Sequence, residues 1–199
     1  MIDKRVYGIL SSVLVLLLAL GRVDLASGAR AWMGNVILTE LQKDVLVFAT
    51  LQEAFTQEIQ ESIINGVPTT FTYQIRLMRH RAVFPDAEVV VKAVRQQVAY
   101  DLLADEFRLT REDGGEHNSQ VTKSYTQVRR WMAELRGVRL IPREKLEAGQ
   151  LYYVRVKAEI RSVSLVFPLN YLPFFISLFN FDTPWASSSL FRVSQSGQG

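Results

Sequence analysis

Cysteine is absent from the 199 residues. That excludes disulfides, thiolate nucleophiles, Cys-ligated zinc, iron–sulfur clusters and a lipoprotein acyl-cysteine together. Histidine is nearly absent as well, with only two, His80 and His117, so most metal and triad chemistries lack their usual parts. No strong surplus of one charge exists: 23 basic side chains stand against 20 acidic ones. Charged residues make up 22% and apolar residues 48%, which fits neither a disordered chain nor a polytopic membrane protein. What is present is enough chain for one domain with a core of its own, needing no metal or disulfide staple.

The one long apolar run is N-terminal. Lys4 and Arg5 precede Val6–Leu20, a charge-free stretch of 15 residues, and a mixed stretch from Gly21 to Ala31 follows. As a helix the run spans about 22 Å, short of a bilayer core of about 30 Å and of the right size for a signal-peptide centre. Ala29 and Ala31 occupy the −3 and −1 positions for a cut before Trp32, and Ala26 with Gly28 offers a second cut. Residues 1–31 therefore read as a signal peptide or N-terminal membrane anchor, and residues 32–199 as a single β-rich domain. The expected location is outside the cytoplasm, in the periplasm or on the periplasmic face of the inner membrane. Residues 1–31 carry four basic and two acidic side chains, leaving 19 against 18. No basic stripe remains to argue for nucleic acid.

Strand signals dominate the body. Phe71, Tyr73, Ile75 and Leu77 alternate with Thr70, Thr72, Gln74 and Arg76. Tyr152, Val154, Val156, Ala158 and Ile160 alternate with Tyr153, Arg155, Lys157, Glu159 and Arg161. A period of two is what a sheet with one wet face requires. Ala87 to Tyr100 reads as a long strand, and Glu106 to Arg111 as another. Asp113-Gly114-Gly115 then makes a turn toward a short return strand near Gln120 to Lys123. Met33–Leu38 and Asp44–Phe48 make an opening pair. Two helices are expected. Thr50 and Glu53 have capping-box spacing ahead of Leu51, Phe55, Ile59 and Ile63, and Asn65-Gly66 with Pro68 ends that helix. Ser124 and Gln127 repeat the device ahead of Val128, Trp131, Met132 and Leu135, with Gly137 as the stop. The fold class is mainly β (α+β): an antiparallel sheet or sandwich with two amphipathic helices, preceded by the signal or anchor helix.

From Val163 to Phe191 the only charged residue is Asp182, and six of the eleven phenylalanines lie there. Pro168, Pro173 and Pro184 break the stretch. Leu165, Phe167 and Leu169 can continue the preceding alternation into the core. Phe174, Phe175, Phe179 and Trp185 are the candidate partner or lipid contacts, expected in a loop or short helix at one end of the domain.

Catalytic signals are thin. His80 lies between Arg79 and Arg81 at the end of a strand, where a solvated position is the plainer reading. His117 shares the segment 112–117 with Glu112, Asp113 and Glu116, a set able in principle to hold a divalent cation, but its spacing matches no known loop and a solvated hairpin tip is the plainer reading. Asp101, Asp105 and Glu106 offer carboxylates near a strand turn, where capping is the plainer role. Ser187-Ser188-Ser189 lacks a nucleophile elbow, and no phosphate-binding loop or dinucleotide fingerprint occurs. No cofactor, metal or small-molecule substrate is expected.

The order of several short motifs carries a resemblance. Asn65-Gly66-Val67-Pro68, the alternating strand Phe71–Leu77, Arg79-His80-Arg81, Tyr100-Asp101 closing the next strand, and Leu172-Pro173 with the later Trp185 resemble the bacterial family known as domain of unknown function 4390. Val83-Phe84 departs from it, where a more tryptophan-rich pair is the family's habit. The resemblance implies an exported envelope protein, with no activity or catalytic residues to carry over. Family members are often encoded near two-component sensor kinases, which implies a link to envelope sensing. The expected function is a non-catalytic envelope domain binding an envelope protein partner. The alternatives are a lipid- or amphiphile-binding module using the aromatic segment at a membrane surface, and a carboxylate-dependent hydrolase.

Overall fold

The computed structural model describes residues 30–162 and 181–193. Val6–Leu20, Leu165, Phe167, Leu169, Leu172, Pro173, Phe174, Phe175 and Phe179 lie outside the described residues. Two antiparallel sheets face each other, with two helices. The smaller sheet has the order β1 (Trp32–Leu41), β2 (Asp44–Gln52), β7 (Glu134–Pro142). The larger has β8 (Leu151–Ser162), β3 (Thr69–Arg79), β4 (Ala87–Asp101), β5 (Glu106–Asp113) and β6 (Glu116–Thr122) in that order. Helix α1 spans Gln57–Ile64 and α2 spans Tyr125–Ala133.

The alternation seen in the sequence becomes the inner face. Phe71, Tyr73, Ile75 and Leu77 of β3 are fully buried, and so are Val154, Val156 and Ala158 of β8 beside them. Tyr73 pairs with Ala158 on one side and Val94 of β4 on the other. From the opposing sheet come Val45, Val47, Ala49 and Leu51 of β2, with Leu135 and Val138 of β7. Ile59 and Ile63 of α1 and Val128 and Met132 of α2 complete the core. Each such side chain contributes about 1.5–3 kcal/mol relative to an exposed one. Phe55, which precedes α1, packs its ring 5.3 Å from that of Phe71, while Ile59 and Ile63 of α1 are buried.

Polar contacts also tie the layers together. The Tyr73 hydroxyl donates to the Met132 carbonyl in the last turn of α2. Lys92 on β4 donates to the Arg139 carbonyl of β7 at 2.7 Å and pairs with Asp113 at 2.5 Å. Gln96 donates to the Glu134 carbonyl at 3.3 Å.

The Asp113–Gly115 turn forms as expected, with Gly114 and Gly115 both at positive φ, +61° and +94°, the geometry a tight hairpin needs. Two helix boundaries differ from expectation. Helix α1 begins only at Gln57, capped by the Thr56 hydroxyl on the Ile59 amide; Leu51 belongs to β2. Strand pairing with β1 through Gln52 outweighs the Thr50–Glu53 capping box. The Ser124 cap of α2 is present, but the helix ends at Ala133 and Leu135 enters β7. Gly137 is not a helix stop. It sits within β7 at φ +57°, under the Phe48 ring, where the register against β2 is irregular.

The far edge of β8 is covered by three two-residue fragments: β9 (Phe181–Asp182), β10 (Ala186–Ser187) and β11 (Phe191–Arg192). Between them hydroxyls take the place of ladder carbonyls. Thr183 Oγ1 accepts from the Ala158 amide at 2.9 Å and Ser188 Oγ from the Val154 amide at 3.1 Å. Covering an edge in this way blocks strand addition to it.

Candidate functional site: the outer face of β3 and β8

Residues that alternate with the core side chains face outward, and the register decides which of them meet. Arg76 of β3 stands directly opposite Arg155 of β8, and Gln74 opposite Lys157. Like charges facing each other across strands are destabilising. Trp185, between β9 and β10, offsets this. Its ring centroid lies 4.9 Å from the Arg76 guanidinium carbon, 5.2 Å from that of Arg155 and 5.5 Å from Lys157 Nζ. Contacts of this kind contribute about 0.5–1 kcal/mol each at exposed sites.

Carboxylates neutralise two of the three cations. Glu88 pairs with Arg76 at 3.3 Å. Lys157 pairs with Glu159 at 2.8 Å and Asp182 at 3.6 Å. The Glu159 hydrogen bond, more than any other influence, holds the Lys157 pKa above its ordinary value. Among the described residues Arg155 is in no ion pair. Trp185 was expected at one end of the domain; it lies instead partway along β8, half-buried, because Ala186 pairs with Val156.

Further along the same face, Tyr153 donates its hydroxyl to Asp86 Oδ2 at 2.6 Å. Asp86 Oδ1 accepts the Arg81 amide at 2.9 Å and lies 3.1 Å from His80 Nδ1. The neighbour of the imidazole is thus a carboxylate and not a pair of guanidiniums; Arg79 turns away to pair with Glu147. The Tyr153 hydrogen bond, followed by the Arg81 amide, lowers the Asp86 pKa. The sign follows. Asp86 stabilises the loop fully above the unfolded carboxylate value near about 3.9, and that contribution is lost as pH falls through the depressed folded value. Tyr153→Phe is expected to raise the Asp86 pKa toward the unfolded value, read from the carboxyl carbon shift in an NMR titration. An unchanged midpoint would show that Tyr153 does not hold it down.

The remaining candidates from the sequence are dispersed. The hairpin alternation puts Glu112 opposite His117 on one face and Asp113 opposite Glu116 on the other. Asp113 is engaged by Lys92 and Arg111, and Glu112 by Arg95. Among the described residues no three histidine, aspartate or glutamate side chains converge to hold a metal ion. Asp101 accepts the amides of Leu103 and Ala104, and Asp105 accepts the Tyr100 hydroxyl. Ser188 is spent on the edge of β8. Asp86 was missed in the sequence because Tyr153, the partner that most lowers its pKa, is 67 residues away along the chain. A depression of about 450 Å³ beside the β1–β2 turn has a lining that mixes Gln42, Lys43, Arg143 and Glu144 with Leu146 and Val193.

Fold and face together define a two-layer antiparallel β domain whose charged and aromatic groups gather on an open sheet surface. The chain belongs to the family described as domain of unknown function (DUF4390), whose sequence profile matches residues 30–189. That is the family the ordered motifs pointed to. No curated protein and no solved structure matches the chain.

Proposed function

We propose that this is a non-catalytic domain of the bacterial cell envelope, held at the periplasmic side of the inner membrane, that binds the acidic segment of an envelope protein partner. The observation that carries the reading is the Arg76–Arg155 pair. Two guanidiniums are set side by side by the strand register and oriented by one indole, and Arg155 is in no ion pair among the described residues. Planar, permanently charged donors held in this way suit bidentate capture of carboxylates. Export is supported by the basic start and the apolar run Val6–Leu20. Ala31 bears on cleavage. It is 4% exposed and part of the core, which favours a cut after Gly28 or a retained anchor over a cut before Trp32.

The test has two arms. Alkaline phosphatase fused after Gly199 becomes active if the chain is exported, and an inactive fusion ends the envelope reading. A photo-cross-linking amino acid at the exposed Ser187, beside the arginine pair, is expected to give a discrete adduct with an envelope protein. Arg155→Glu is expected to reduce that adduct at least about tenfold, the worth of one charge-assisted hydrogen bond. An adduct indifferent to Arg155→Glu would sink the acidic-partner reading.

A further inference from the structure

The β4–β5 turn shows side chains that the core does not use. Leu103 is 100% exposed and Leu102 is 66% exposed. The turn that displays them is built firmly. Asp101 Oδ1 accepts the amides of Leu103 at 3.0 Å and Ala104 at 3.1 Å. Asp105, at φ +53°, accepts the Tyr100 hydroxyl at 2.6 Å, and the Tyr100 ring lies 4.6 Å from that of Phe107. Both carboxylates are thus turned back into the turn while the leucines project. Leu102 also leans on the link after α1, its Cδ1 3.5 Å from where a Cβ on Gly66 would stand, two residues from the exposed Ile64.

Exposure alone does not choose an occupant, since Val83 at 85% and Phe84 at 69% are also bare at the other end of β3. The attachment points do. Thr69 pairs with both Ser162 and Val98, so the chain leaves β8 at the same end of the sheet, two strand spacings, about 10 Å, from Val98, which is three residues before the end of β4. Between Ser162 and Phe181 lie 18 residues without one charged side chain. The start of β1 lies at this end too. Trp32 pairs with Gln52, the last residue of β2, and Phe55 just beyond packs on Phe71. Beyond Trp32 in the N-terminal direction is the apolar run Val6–Leu20. Both charge-poor stretches of the chain therefore join the domain where Leu102 and Leu103 project.

We infer that the β4–β5 turn inserts Leu102 and Leu103 into the headgroup–acyl boundary of the bilayer to which the N-terminal segment attaches the chain. The inference rests on the envelope reading above. The contact is apolar and not electrostatic. Glu58, Glu61, Asp101, Asp105 and Glu106 lie at this end with Arg30, Arg108, Lys123 and Arg129, a near balance that offers no basic patch to anionic headgroups, so zwitterionic lipid is the fitting surface.

The absence of cysteine makes the test direct. Leu103→Cys and Val83→Cys are each labelled with an environment-sensitive fluorophore in the full chain, mixed with phosphatidylcholine vesicles with and without doxyl-labelled lipid. The expected result is a blue shift and lipid quenching at position 103 and neither at position 83. A chain that does not float with the vesicles overturns the membrane attachment and this inference with it. A chain that floats while position 103 is as wet as position 83, or while both are quenched alike, overturns this inference alone. A probe at 103 shielded from water but untouched by doxyl lipid also overturns it and assigns the turn to a protein contact.

Discussion

Phe71→Ala is expected to lower the unfolding free energy by about 3–5 kcal/mol. Phe71 has no exposed surface, and it pairs with Gln96 on one neighbouring strand and Ile160 on the other. Its ring also carries Phe55, the contact that seats the entrance to α1 on the sheet. Removing the ring leaves a cavity bordered by strands on both sides and by the Phe55 ring, and a hydrogen-bonded central strand has little freedom to collapse into it. Denaturant unfolding of the two proteins measures the loss. Phe55→Ala serves as the comparison: Phe55 is only half-buried, so its cost is expected to be roughly half as large. A loss below about 1.5 kcal/mol at Phe71 would show that the site relaxes and that β3 is not the packed centre of the large sheet.

Tyr73→Phe is expected to cost about 1–3 kcal/mol, although the ring volume is unchanged. The Tyr73 hydroxyl is the partner of the Met132 carbonyl at the end of α2, where the helix itself supplies no further amide. Deleting the hydroxyl leaves that carbonyl without this donor in a site sealed from water. Burial raises the Tyr73 pKa far above that of a free phenol, with Arg111 opposing weakly, so the hydroxyl stays a donor across the accessible pH range. The loss is therefore expected to be flat between neutral and mildly alkaline pH. Amide exchange should speed up most in α2. If α2 keeps its protection in Tyr73→Phe, the hydroxyl is not its tether to the sheet.

The strands that were legible in the sequence are those with one wet face. In β3 and β8 every second residue is buried, so the alternation could be read directly. Strand β7 was not legible. Its buried residues, Leu135 and Val138, are three apart because the bulge around Gly137 breaks the period of two. Following Val128 and Met132, that spacing imitates one more turn of helix. The same coincidence drew Leu51 into α1, four residues before Phe55, although Leu51 is a strand residue. The fragments β9 to β11 are two residues each, too short for any periodicity, and their hold on β8 comes partly from Thr183 and Ser188 side chains.

The candidate site divides in the same way. Trp185 was singled out for its aromatic character, and Arg76, Arg155 and Lys157 each fell on the wet side of an alternating strand. Nothing local, however, places residues 76, 155 and 185 together. The sequence by itself determined what is set within a few residues: the β class, the faces of β3 and β8, the Asp113–Gly115 turn, the Ser124 cap and the family. Tertiary structure alone decided that β3 lies between β4 and β8, that Arg76 meets Arg155, that Asp86 meets Tyr153, and that Leu102 projects at the end of the sheet where β8 stops. Strand order and register depend on which buried faces fit across distances of tens of residues, and a one-residue slip would carry every one of these side chains to the opposite face.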